Sequence, residues 1–81
     1  MIIAGVTVED RLVLKIAKAL PHSVLASKLV TAYTLRSSVM NLTTEERRQV
    51  LIALARGPAE LQELHDELSR HPGWQTPTGV T

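Results

Sequence analysis

The sequence predicts an all-α fold, a compact bundle of about four short helices, and three observations carry that expectation. Apolar residues recur at spacings of three and four over four separate stretches. Helix starters and stoppers punctuate those stretches: Thr or Ser before them, Pro, Gly or Asn after them. Aromatic residues are nearly absent, with one Tyr, one Trp and no Phe, so Leu, Val, Ile and Ala must build the core. At 81 residues the chain is one domain. A domain this small buries a modest share of its surface, and the absence of cysteine denies it any disulfide or thiolate staple. Further burial has to come from tight packing or from a second chain.

The first helix is expected over 8–20. Thr7 stands as its N-cap with Asp10 three residues on, Leu12, Ile16 and Leu20 form a stripe, and Pro21 ends it. The apolar lead-in, residues 1–6, reads as a short strand, a docking arm or an apolar tail, with the arm preferred. The second helix is expected over 23–40, capped by Ser23 and stopped by Asn41. Leu25, Leu29, Ala32, Leu35 and Val39 make its coiled-coil-like seam. Its many Ser and Thr residues lower helix propensity, so tertiary contacts must hold it. As the longest and most apolar helix it is expected at the centre.

The third helix, 44–56, has the clearest start in the chain, a capping box of Thr43 and Glu46. Val50, Leu51 and Leu54 form its inner stripe, widened by Ile52 and Ala53, and Gly57 is expected to stop it in a left-handed conformation. Pro58 then opens a fourth helix, 58–70, with Leu61, Leu64 and Leu68 inward and Glu60, Glu63 and Glu67 outward. The domain is thus expected to span 1–72, with 73–81 as a C-terminal tail. Trp74 is read as a lid folded back on the core in preference to an exposed anchor.

Charge is divided unevenly. Residues 1–42 carry Arg11, Lys15, Lys18, Lys28 and Arg36 against Glu9 and Asp10, a net +3, while residues 43–81 sum to −2. The whole, at +1, is not basic enough for the usual nucleic-acid footprint. The halves are suited to attract each other, within one chain or between chains. No signal peptide and no run of about 20 apolar residues is present, so no membrane association is expected and a cytoplasmic setting is.

Leu51, Leu54, Gly57, Pro58, Leu61, Glu63, Leu64 and Leu68, within residues 43–68, resemble the front half of winged helix-turn-helix regulators. The resemblance covers about a third of the chain and implies a DNA-binding role, in which Arg11, Lys15, Lys18, Arg47 and Arg48 are the candidate contacts to phosphates or to an acidic partner. The sequence departs from that family where a recognition helix and wing should follow, and Glu60, Glu63, Asp66 and Glu67 would repel phosphates.

No catalytic constellation emerges. Glu63, His65, Asp66, Glu67 and His71 lack a metal-ligand spacing, and the four glycines are isolated. No metal, no cofactor and no enzyme activity are expected. The leading expectation is a protein–protein interaction or regulatory module that self-associates or docks on a larger partner, with Leu25, Leu29, Leu35, Val39 and Trp74 as the contact residues. A DNA-binding regulator is the alternative, and a small phage or mobile-element protein acting on a host factor is the third reading.

Overall fold

The computed structural model describes residues 1–21 and 24–74. The expected Ser23 cap, the neighbouring His22 and most of the expected tail lie outside them. The described residues form four helices: α1 (Asp10–Ala19), α2 (Val24–Thr34), α3 (Thr44–Ala55) and α4 (Ala59–Arg70). A 3₁₀ turn at Pro72–Trp74 closes the described chain. The fold is mostly helical but not all-α, because three short strands form a sheet: β1 (Ile2–Ile3), β2 (Val6–Thr7) and β3 (Val39–Met40).

The expected N-terminal arm is a β-hairpin. Ile3 pairs with Val6 and Ile2 with Thr7, leaving a two-residue loop. Both loop residues have positive φ, 47° at Ala4 and 89° at Gly5, as a hairpin turn matched to strand twist requires. β1 is the central strand of the order β2-β1-β3 and runs parallel to β3, with Ile2 beside Val39 and Ile3 beside Met40. Side chains alternate between faces, so Ile3 and Met40 enter the core while Ile2 and Val39 share the outer face.

Thr7 belongs to β2 and does not cap α1; Glu9 takes that place without a side-chain bond. α2 ends six residues earlier than its apolar spacing suggests. Its stop is at Arg36, in the left-handed region at φ 54°, rather than at Asn41. The Arg36 N–H donates to Tyr33 O (3.1 Å) and the Ser37 N–H to Ala32 O (3.0 Å), the paired bonds of a Schellman stop. The chain then reverses into β3.

The α3 capping box is present in both directions: the Glu46 N–H donates to Thr43 Oγ1 (3.1 Å) and the Thr43 N–H to Glu46 Oε1 (2.8 Å). α3 buries Val50, Ala53 and Leu54, while Leu51 is half-buried and Ile52 faces outward. Gly57 does not take the expected left-handed conformation. Its value is space: a Cβ there would lie 2.9 Å from Leu61 Cδ1 and 3.0 Å from Leu61 Cβ. Pro58 is the N-cap of α4, one position before the expected N1. α4 buries Leu61, Leu64 and Leu68, the expected stripe.

One core joins these elements, from Ile3 and Val8 through Val13, Ile16, Leu29 and Leu54 to Trp74, which is 1% exposed. Trp74 is therefore a lid on α3 and α4, inside the packed unit and beyond the expected boundary at residue 72. No acceptor for its Nε1 is found among the described residues.

Candidate interaction groove

α2 is not central. It packs chiefly on α1, burying Leu25 and Leu29, and nothing among the described residues covers its far side. The cause lies in its sequence: besides the buried Leu25 and Leu29, "VLASKLVTAYT" spreads Val24, Val30 and Tyr33 over its exposed sides, among Ser27, Lys28, Thr31 and Thr34. Here Val24 is 84% exposed and Leu35, just past its end, 71%.

Between this uncovered side and β3 runs an open groove of about 450 Å³. α2 supplies Val24, Lys28, Thr31 and Ala32, the turn supplies Leu35, and β3 supplies Val39 (56% exposed) and the edge of buried Met40. The backbone adds a second feature. The Ile2 N–H donates to Ser38 O and the Ala4 N–H to Met40 O, each at 2.8 Å. In a parallel ladder with Ile2 beside Val39, these bonds turn the N–H and C=O of Val39 to the outer edge, where no described residue meets them.

The electrostatic setting is one-sided. No Asp or Glu occurs between Arg11 and Thr44, and no carboxylate lines the groove. Lys28 does line it, with Nζ 3.2 Å from Glu46 Oε1 behind it. The Glu46 carboxyl is held below its usual range, first by the Thr43 backbone N–H and then by Lys28. Arg36, between the groove residues Leu35 and Ser37, has no side-chain partner among the described residues.

The expected basic stripe has a different fate. Arg11 Nη1 lies 2.8 Å from Glu60 Oε2, and Lys15 bonds the other oxygen of the same carboxylate, so both fasten α1 to α4. These bonds, Lys15 first and then Arg11, hold the Glu60 carboxyl below its usual range. Glu60, and then the charge of Glu9, raise Arg11. Arg48 pairs with Glu45 at 2.8 Å, and Arg47 donates to Thr44 Oγ1 at 3.0 Å. Lys18 alone of the five has no side-chain partner among the described residues. It borders a second apolar cleft, between α1 and α2. His71 accepts the Gly73 N–H on Nδ1 at 3.1 Å, which ties it to the 3₁₀ turn.

Of the five expected contact residues, Leu25, Leu29 and Trp74 are spent on the chain's own core, and Leu35 and Val39 stand at the groove. Sequence reasoning placed those two on one helical seam; the structure puts them on a turn and a strand. It missed the free strand edge, which only the pairing of β3 with β1 creates, a contact with no local signature.

The helix pair α3–α4 has the tight Gly57-Pro58 connection of the regulator resemblance, and Glu63, Asp66 and Glu67 face outward from it. The position of a recognition helix falls within residues 75–81, outside those described. Among the described residues no helix is long and apolar enough to cross a membrane. Comparison with known proteins returns no family model, no curated protein and no solved structure that matches the chain.

Proposed function

We propose that the chain is a small, non-catalytic protein–protein interaction module of the cytoplasm, and that the groove between α2 and β3 is its contact surface. The observation that carries this reading is the uncovered side of α2. Val24 and Leu35 are exposed at the two ends of its outer side and Val39 on the neighbouring strand, and all three line one groove. Exposed apolar side chains gathered along one groove and edged by polar residues mark interaction sites on folded proteins. The absence of cysteine accords with a reducing compartment. The DNA-binding alternative draws less support, because Arg11 and Lys15 are committed to Glu60 and the exposed side of α4 is acidic.

Photo-crosslinking tests the reading. A diazirine side chain at Leu35 or Val24 is expected to join the protein to a partner, or to a second copy, in extract from cells that make it. The same group at Ser69, on the exposed side of α4, is expected to give no such product. Leu35→Glu, at an exposed site, should abolish crosslinking from Val24 without unfolding the domain. Absence of crosslinks from both groove positions, together with a monomer at high concentration, would refute the module.

A further inference from the structure

We propose that the groove takes an extended, acidic and apolar segment of another protein, which adds to the outer edge of β3 as a fourth strand. This rests on the reading of the groove as a contact surface and names the chemistry of its occupant.

The backbone specifies an extended guest. At Val39 a donor and an acceptor point outward together, the arrangement that exchanges two hydrogen bonds with one residue of an added strand. The Val39 N–H donates to a guest carbonyl, and a guest N–H donates to the Val39 C=O. A helix in the groove would leave both groups unpaired as it excluded water from them. The side chains specify the rest. A guest strand lying along β3 sets alternate residues against Val24, Leu35 and Val39 and calls for apolar groups there. The groove is lined by Lys28, whose ammonium Glu46 pairs from outside the lining, and the exposed, unpartnered Arg36 stands in the turn between the lining residues Leu35 and Ser37. Acidic groups on the guest complement that field, and basic ones do not.

The same field disfavours a second copy. Pairing Val39 with its own symmetry mate would bring the unpartnered Arg36 of two chains to the same short ladder. Like charges set opposite each other across strands are destabilising.

The test uses an acetylated, amidated heptapeptide alternating glutamate with valine, titrated into the isotope-labelled protein. Its controls are the same peptide with lysine for glutamate, and the glutamate peptide N-methylated at alternate positions. The glutamate peptide is expected to shift the amide signals of Val24, Leu35 and Val39 and to slow hydrogen exchange at the Val39 N–H. Both controls should bind at least tenfold more weakly. Val39→Pro should weaken the glutamate peptide by a similar factor, because proline removes the outward N–H and leaves the ladder to β1 intact. If that variant unfolds, the N-methylated peptide decides, since it leaves the protein untouched.

The proposal is overturned if the glutamate peptide does not bind, if both charge types bind equally, or if N-methylation has no effect. It is also overturned if Val39 becomes protected with rising protein concentration alone, which would assign the edge to a second copy. Crosslinks from Val24 and Leu35 combined with any of these results would refute the strand guest and leave the interaction module standing.

Discussion

Trp74 allows packing and polarity to be separated at one buried site. Replacing it with alanine empties the largest fully buried side chain in the domain, at a cost of about 3–5 kcal/mol. Total stability for 81 residues is expected at about 4–12 kcal/mol, so Trp74→Ala should leave the domain marginal or unfolded. Trp74→Phe is the informative change. It vacates about 40 Å³, a cavity cost of about 1 kcal/mol at ~24 cal/mol per Å³, and the smaller ring loses about 1 kcal/mol more in transfer free energy. It also deletes a buried N–H that has no acceptor among the described residues, and an unsatisfied buried donor costs about 1–3 kcal/mol. The two effects oppose each other, so Trp74→Phe should fall within about 1 kcal/mol of the unaltered protein. Urea unfolding followed by far-ultraviolet circular dichroism reads both variants without relying on indole fluorescence. A loss of about 3 kcal/mol or more in Trp74→Phe would refute the reasoning, because it would mean that the indole N–H is bonded or that the ring is irreplaceable in shape.

Arg36→Gly should stabilise the domain by about 0.5–1 kcal/mol, as relief of a left-handed side chain outweighs the added freedom of the unfolded chain; a lower urea midpoint would contradict the assigned stop. Gly57→Ala should cost about 1–3 kcal/mol, since Leu61 Cβ cannot swing away from the new methyl group; an unchanged melting temperature would show that the α3–α4 turn is loose. The folded-state pKa of Glu60 is depressed, so its contribution to stability is present above the unfolded value near 4.5 and is lost as pH falls through the folded value. Glu60→Gln should therefore flatten the fall in urea midpoint below about pH 4.5, with Glu45 and Glu46 accounting for the slope that remains. A profile identical to that of the unaltered protein would mean that the Arg11–Lys15–Glu60 cluster is not coupled to folding.

The parts of the fold that were legible in sequence are those decided within one turn of chain. Thr43 and Glu46 announce α3 because a capping box is a contact across three residues, and Leu61, Leu64 and Leu68 announce the inner side of α4 through their spacing. The apolar spacing overstates the length of α2 because Leu35 and Val39 keep helical spacing after the helix has ended. An arginine in the left-handed position gives no warning, whereas a glycine would have. The hairpin is ambiguous in sequence because its loop is Ala-Gly rather than Asn-Gly and its strands are two residues long, too short to show alternation. Leu35 and Val39 were legible as contact residues through their apolar character. The groove they border was not, since it depends on β3 finding β1 across the whole of α1 and α2. Arg11 and Lys15 were legible as a basic stripe, and the option of an acidic helix within the same molecule proved to be the arrangement found for those two.

The parallel pairing of β1 with β3 also orders the way the chain assembles. Ile2 and Val39 stand 37 positions apart, whereas α3, α4 and the turn carrying Trp74 are sequence neighbours that pack on one another. Contacts between near neighbours close small loops and form early; contacts across long stretches must first pay the entropy of closure. The helical hairpin from Thr43 to Trp74 can therefore gather as a local nucleus, with the clasp of the first strand onto the third as a late event. Val39 acquires its outward-facing backbone only when that clasp shuts. Until it shuts, the Ile2 and Ala4 N–H groups that later bond Ser38 and Met40 stand open on β1, so the half-folded chain exposes a strand edge that the finished domain covers.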